Sequence, residues 1–370
     1  MELLSGDRPM DDGRETVAPS LWRSRAIGFL RAATTPLLPE DYVDLFDPLR
    51  TTTVLRARVT DIISETDDAA TVVLQPGRTW RGHVPGQYIR IGVDIDGVRM
   101  WRAYSVTSGP RTDGRIAITI KAISGGAVST HLLSSLQVGQ IVQMEQADGA
   151  FVLPEVLPAK ILLLTGGSGI TPVMGILRHA VQDLDDVVML HSAPRPEDVI
   201  FADELRSLGD DGRISLLERH TDEHGLLDTD ELDALVPDWR ERETWACGPA
   251  GMLEMLEGHW ESAGHAHRLH TERFRPALAE PGEGGTVYFT NADREIDCDG
   301  ARPILDIGEE AGVLMPSGCR MGICYGCVLP MREGAVRDLR TGEVTTATPG
   351  DGILIQTCIS AAAGRCDLVL

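Results

Sequence analysis

Three thiols stand within nine residues, at Cys319, Cys324 and Cys327, and a fourth follows at Cys358. The spacing Cys-x4-Cys-x2-Cys with one distant cysteine is the ligand pattern of a plant-type [2Fe–2S] cluster, in which four thiolates hold two irons and two sulfides. Such a cluster is anionic. The loop around it must turn its backbone N–H groups inward, and Gly318, Gly322 and Gly326 supply the conformational freedom for that. Two other uses of thiols fit less well. A thioredoxin-like pair at Cys324 and Cys327 lacks the strand–helix context, and zinc ribbons show two paired Cys-x2-Cys knuckles. Cys298 and Cys366 lie outside the pattern and read as free thiols, with Cys366 packed near the last strand. Seven cysteines, odd in number and clustered, in a chain with no export signal are not a disulfide framework.

A second constellation is the run containing Gly166, Gly167, Gly169, Thr171 and Pro172. It follows a buried strand over 161–165 and opens an apolar-periodic helix over 172–181. In that context a glycine-rich turn lets backbone approach a pyrophosphate, and proline suits the first helical turn. The second strand of this region ends in His191, Ser192, Ala193, Pro194 and Arg195, with no acidic residue to grip a ribose hydroxyl. Arg195, helped by Arg219, suits the extra phosphate of NADPH, so NADPH is expected ahead of NADH; a solvated surface arginine is the plainer alternative.

Composition narrows the function classes. The formal net charge is −22, from 34 Lys and Arg against 56 Asp and Glu, which excludes non-specific nucleic-acid binding. No apolar run approaches the ~20 residues of a membrane helix, and the N-terminus is polar and acidic. A soluble cytoplasmic protein is expected. Residues 286–370 carry 12 acids against 7 arginines and no lysine, a net of −5. An acceptor that docks there should present a basic patch.

These residues need elements to position them. Residues 1–50 read as an extension in which 21–33 places Trp22, Ala26, Phe29, Leu30 and Ala33 near one helical face. Two readings stay open for that stretch: a helix packed on its own domain, or one that touches a membrane surface or partner. Residues 51–154 alternate in short strands, as at 54–59, 71–74, 88–93 and 116–121, with turns at Asp96–Gly97 and Asp113–Gly114; this suggests a small antiparallel barrel. Residues 155–278 alternate strand and helix, with strands at 161–165, 187–192, 214–219 and 243–246 and a helix at 201–208, the pattern of a doubly wound parallel sheet. Residues 279–285 read as a linker. Residues 286–370 form a last compact domain with a hairpin, a helix near 304–311, the cysteine loop and a final strand at 367–370.

Arg102, Tyr104 and Ser105 at a strand end resemble the Arg-x-Tyr-Ser motif of the ferredoxin–NADP reductase superfamily. Gly126, Val128, Ser129 and Thr130 match its second flavin motif, and Cys247, Gly248 and Pro249 the motif beside the nicotinamide ring. The resemblance implies FAD, with FMN the alternative, held by a cation for its phosphates, an aromatic stacked on the isoalloxazine and backbone N–H groups at a helix start. It implies an antiparallel β-barrel for flavin, an α/β doubly wound nicotinamide domain and an α+β β-grasp ferredoxin domain. The motif order looks like the reductase components of oxygenase and desaturase systems. Pro36 to Pro39, Asp47 to Leu49, and the stretches 236–242, 269–274 and 337–342 are similar to actinobacterial NADPH reductases that feed an acyl-CoA desaturase. By that likeness Cys319 and Cys324 hold one iron and Cys327 and Cys358 the other, while Glu272 and Phe274 stand close to the flavin. Ser105, Cys247 and Glu272 are the catalytic candidates.

Together these features predict an NAD(P)H-dependent reductase that passes electrons through FAD to the cluster and on to an oxygenase-type protein acceptor. A membrane-bound fatty acyl desaturase is the first expectation; a Rieske oxygenase, a cytochrome P450 or an alkane hydroxylase are the others. An iron–sulfur redox sensor is the non-enzyme alternative, but it needs an output element that the sequence does not contain.

Overall fold

The computed structural model describes residues 47–51, 53–95, 98–122, 127–274, 281–318, 320–322 and 325–370. The expected helix over 21–33, the turn at Asp96–Gly97, and Gly126, Cys319 and Cys324 lie outside the described residues.

The alternating segments form six antiparallel strands: β1 (Arg56–Thr66), β2 (Ala69–Pro76), β3 (Tyr88–Ile95), β4 (Val98–Ser105), β5 (Ile116–Lys121) and β6 (Ile141–Met144), in the order β4-β3-β6-β1-β2-β5. A bridge between Val106 and Ile118 brings the end of β4 back to β5, so the sheet curls into a barrel. Ala57, Val59, Val72, Leu74, Ile89, Ile91 and Ile118 turn inward and are buried. β1 runs past the expected end at 59, because register shifts at Val59/Asp61 and Ser64/Thr66 break the period-two pattern without ending the pairing. Helix α1 (Ala127–Ser135) packs Val128 and Leu132 into this core.

The second region alternates β7 (Lys160–Gly166), α2 (Ile170–Ala180), β8 (Asp186–Ala193), α3 (Ala202–Asp210), β9 (Ser215–His220), α4 (Thr221–His224), α5 (Thr229–Leu235), β10 (Glu243–Cys247), α6 (Ala250–Ser262) and β11 (Leu269–Glu272). The strands are parallel in the order β11-β10-β7-β8-β9. Both faces are covered. Ile161 and Leu163 pack with Val173, Leu177 and Leu205, whereas Leu162 and Leu164 pack with Trp239, Leu253 and Trp260. That two-sided burial, about 2 kcal/mol for each leucine removed from water, explains the unbroken apolar run of β7.

The last region holds β12 (Gly285–Phe289), β13 (Arg294–Cys298), α7 (Ile304–Glu310), β14 (Val328–Asp338), β15 (Val344–Ala347), β16 (Ile353–Gln356) and β17 (Ser360–Leu368). Its sheet runs β13-β12-β17-β14-β15, with β16 on β14 and a parallel pairing of β12 with β17. β17 begins seven residues before the expected 367. Its first half is alanine-rich and weak in strand propensity, but Ala361 and Ala362 are fully buried, so packing decides. Among the described residues no helix is long and apolar enough to cross a membrane.

Candidate functional site

β4 delivers Arg102, Tyr104 and Ser105 to the barrel rim, and Ser105 lies opposite Tyr88 across the ladder. Ser105 is 3% exposed and its hydroxyl has no partner. A buried hydroxyl without a hydrogen bond is costly, so this one fits a bound polar group. Arg102 donates to the Trp101 carbonyl at 2.8 Å. Burial, and after it the charge of Arg320, pulls its guanidinium down to about 10; Glu309 and Asp306 oppose that shift. Burial raises the Tyr104 phenol, and Arg102 offsets part of this. On α1, Val128 and Ser129 are buried and Thr130 is exposed.

The parallel sheet builds a row that crosses all five strands at their C-terminal ends. Paired positions run Glu272, Cys247, Thr165, His191 and Glu218. Glu272 is pushed up to about 8 by burial, and its Oε2 is buried without a partner. Cys247 is fully buried, and burial followed by the neighbouring Glu272 holds its thiol well above the usual range. The Thr165 hydroxyl and His191 Nδ1 share a 2.8 Å hydrogen bond, and burial keeps His191 neutral by lowering it to about 4. Glu218 is held by two bonds of 2.8 Å from Arg206. Phe274, just past β11, is 39% exposed.

Gly167–Gly169 forms a 3-10 turn between β7 and α2, and the Thr171 hydroxyl donates to the Ser168 carbonyl at 3.0 Å. Pro172 is buried in the first turn of α2. Gly169 has to be glycine: a Cβ there would overlap the Cys247 carbonyl. Gly248 and Pro249 abut Gly166 in the same way, so the glycine turn and the cysteine turn are packed backbone to backbone. Arg195 is exposed and donates to Asp198 at 2.9 Å, with Glu197 beside it. A phosphate would reach it by exchanging with those carboxylates. Arg219 does not suit the helper role expected from sequence. It is buried, bonded to Glu231 at 2.7 Å and to the carbonyls of His224, Gly225 and Leu226, and so braces the turn after β9.

In the cysteine loop two non-glycine residues, Arg320 at φ 59° and Tyr325 at φ 57°, adopt left-handed backbone. Such strain clusters at ligand clamps. Cys327 and Cys358 are buried, and a hydrogen bond from Cys358 lowers the Cys327 thiol. The Thr357 hydroxyl donates to the Cys327 carbonyl at 2.9 Å. Two adjacent thiols, one predisposed to ionise, on a loop bent by left-handed residues fit a metal–thiolate group. By contrast, burial raises the thiols of Cys298 and Cys366 to about 11 and about 12, and both sit in the hydrophobic core of this domain.

Family models for an oxidoreductase FAD-binding domain, an oxidoreductase NAD-binding domain and a 2Fe-2S iron-sulfur cluster binding domain match residues 56–153, 163–258 and 288–363. An NADPH oxidoreductase of Mycobacterium tuberculosis is 47% identical over 90% of this chain and 89% of its own length. The chain belongs to the ferredoxin–NADP reductase-type flavoproteins with a C-terminal [2Fe–2S] domain. This reductase is an oxidoreductase with domains for a nicotinamide nucleotide, FAD and one [2Fe–2S] cluster. The glycine betaine monooxygenase reductase subunit of Pseudomonas aeruginosa is 29% identical over 74% of the chain and 84% of that protein. The solved structure of phthalate dioxygenase reductase shares the three-domain fold, with a TM-score of 0.61 and 22% identity over 86% of this chain and 98% of that one.

Sequence reasoning finds Glu272 and Cys247 at one end of the polar row in this reductase but not Glu218 at the other, nor the bond in its middle. Thr165 and His191 each sit in a motif that was read for cofactor binding, and nothing in the linear pattern says that they bond to each other. Nor does it single out Arg320, whose guanidinium bonds Asp306 at 2.5 Å and Glu309 at 2.5 Å and whose charge reaches Arg102 on another domain.

Proposed function

We propose that this reductase delivers its electrons to an oxygenase-type protein acceptor, and that the acceptor is a membrane-bound fatty acyl desaturase. The observation that carries the relay is the nearness of the cysteine loop to the barrel rim, where Arg320, Glu309 and Asp306 all act on Arg102. A cluster held by that loop would draw on the flavin, and Tyr325 of the same loop, 69% exposed, is accessible to a partner.

The residue roles belong to the same proposal. Arg102 with Gly126, Val128, Ser129 and Thr130 holds the flavin phosphates, and Tyr104 and Phe274 flank the ring. Gly166, Gly167, Gly169, Thr171 and Pro172 cradle the pyrophosphate of NADPH; Arg195 takes the extra phosphate; Gly248 and Pro249 line the nicotinamide. Cys319, Cys324, Cys327 and Cys358 ligate iron. Bound flavin supplies acceptance of an electron pair and its release one electron at a time. The chain supplies the rest. The Ser105 hydroxyl offers the hydrogen bond it lacks within the protein. Glu272 keeps a proton at neutral pH because its surroundings are apolar, and the Cys247 thiol stays uncharged as a close wall. Joining the third domain through a short segment keeps its local concentration high, so the internal step does not wait for an encounter.

The acidic surface of residues 286–370 suits a basic docking face. The likeness of 236–242, 269–274 and 337–342 to desaturase-linked reductases supports the desaturase, and the name of the Pseudomonas relative, a monooxygenase reductase subunit, supports a second reading, an oxygenase acceptor such as a Rieske oxygenase. Reconstitution decides between them. The purified reductase, NADPH and membranes bearing a desaturase should desaturate a saturated acyl-CoA, more slowly as salt rises. Turnover with a Rieske oxygenase and none with the membranes would overturn the desaturase reading.

A further inference from the structure

The strand that carries Arg102, Tyr104 and Ser105 continues through Val106, Thr107, Ser108 and Gly109, and this continuation is held by the nucleotide domain. The C-terminal turn of α2 brings Arg178 to it, and Arg178 Nη1 donates to the Thr107 carbonyl at 2.8 Å. The same guanidinium forms a fork on Glu204 of α3, from Nε at 2.9 Å and Nη2 at 2.5 Å. It also lies 4.6 Å from the centre of the Phe201 ring. Phe201 is 4% exposed and is held at φ 62° immediately before α3. A left-handed backbone is costly for a bulky aromatic residue and persists only where its surroundings demand it. Here the demand is visible, because the turn aims the ring under Arg178 while α3 aims Glu204 at its side. Nearby, His83 Nε2 bonds the Ser108 carbonyl at 2.8 Å, and Gly109 sits against His179.

Helix α2 therefore has two jobs. Its first turn follows the glycine turn proposed for the pyrophosphate, and its last turn grips the strand that presents Ser105. An arginine fork at one end of a stiff rod sets where the other end lies.

We propose that Arg178, aligned by Glu204 and Phe201, is a positioning residue that sets the distance between the nicotinamide and the flavin, and through it the rate of hydride transfer. The inference rests on the reading that the hydride crosses between these two domains.

The test uses the full-length holoprotein with Arg178→Met, which keeps an apolar stem of similar length, and Arg178→Lys, which keeps one donor for Thr107. NADPH-driven bleaching of the flavin in stopped flow should slow about 30-fold in Arg178→Met, since small misplacements cost up to ~100-fold. The primary deuterium isotope effect should grow, and the long-wavelength absorbance of nicotinamide stacked on flavin should weaken. Amide exchange over residues 106–109 should quicken. Flavin content and the cluster's EPR signal should stay as in the parent chain, and Arg178→Lys should recover part of the rate. Glu204→Gln, which leaves the Thr107 bond in place, should slow the step less than Arg178→Met. Unchanged bleaching with an unchanged isotope effect would overturn the inference. So would a slowing matched by lost flavin or lost melting temperature and not relieved in Arg178→Lys or Glu204→Gln, since that marks a merely structural arginine. Failure of the underlying reading would look different: no flavin bleaching by NADPH even in the parent chain.

Discussion

The barrel meets its two neighbours in different ways. Toward the nucleotide domain the junction is closely packed, and side chains of that domain, Arg178 among them, bond backbone carbonyls of the barrel. Gly175 of α2 packs so close to Val106 that a Cβ would overlap its carbonyl oxygen, and the Trp245 indole donates to the Val152 carbonyl at 3.3 Å. Toward the ferredoxin domain Arg102 is influenced through charge, by Arg320, Glu309 and Asp306. Hydride transfer needs reacting atoms in near contact, so its joint is tight and tolerates little displacement. Single electrons do not need that contact, so their joint can be softer and open to ions. The comparison teaches that each joint is as stiff as the chemistry crossing it requires.

The largest effect should come from spoiling the tight joint. Gly175→Ala places a methyl against the Val106 carbonyl and should lower NADPH-driven flavin reduction about 100-fold, while electrons supplied by dithionite still reach the cluster. An unaffected hydride step would break the comparison on its stiff side. A smaller effect should follow from discharging the soft joint. Arg320→Ala, or Asp306→Asn with Glu309→Gln to stay clear of the ligand neighbour Cys319, should slow cluster reduction about 10-fold after the flavin is reduced. In the parent chain that phase, but not the hydride phase, should respond to ionic strength. Equal salt response of both phases would erase the distinction.

The smallest effect concerns proton placement. Glu272 holds its proton up to about 8, so parent flavin reduction should decline as pH climbs through that value, where a carboxylate forms beside Cys247. Glu272→Gln should flatten that limb and cost roughly threefold below it, by loss of the acid. Stability carries the same sign. A carboxyl raised from 4.5 to about 8 contributes fully below 4.5 and progressively less as pH rises to about 8. Glu272→Gln should therefore unfold with less pH dependence between those values, as a denaturant series will show.

Much of this was legible in the chain. Cysteine spacing is local, so the iron–sulfur domain could be read directly, and a buried strand running into glycine announces itself by composition. What escaped was set by tertiary contact. β11 is short, polar and edge-lying, and all four of its residues are half-buried, so its pairing with β10 leaves no periodic trace. Arg219 looks like a free cation in the sequence because Glu231 and three carbonyls reach it only once the turn has folded. Phe201 gives no sign of its left-handed backbone, nor of the Arg178 guanidinium 4.6 Å from its ring. Gly126, Cys319 and Cys324 are outside the described residues, so their expected roles stand on sequence pattern alone.

The most direct measurement of the central claim is anaerobic stopped flow with NADPH, following flavin and cluster absorbance separately in the parent chain and in Cys324→Ser. The account predicts that the parent flavin bleaches first and the cluster follows. In the variant the flavin should still bleach and NADPH–ferricyanide activity persist, while delivery to a one-electron protein acceptor is lost. Cluster reduction by NADPH ahead of any change at the flavin, or loss of both activities together in the variant, would contradict it.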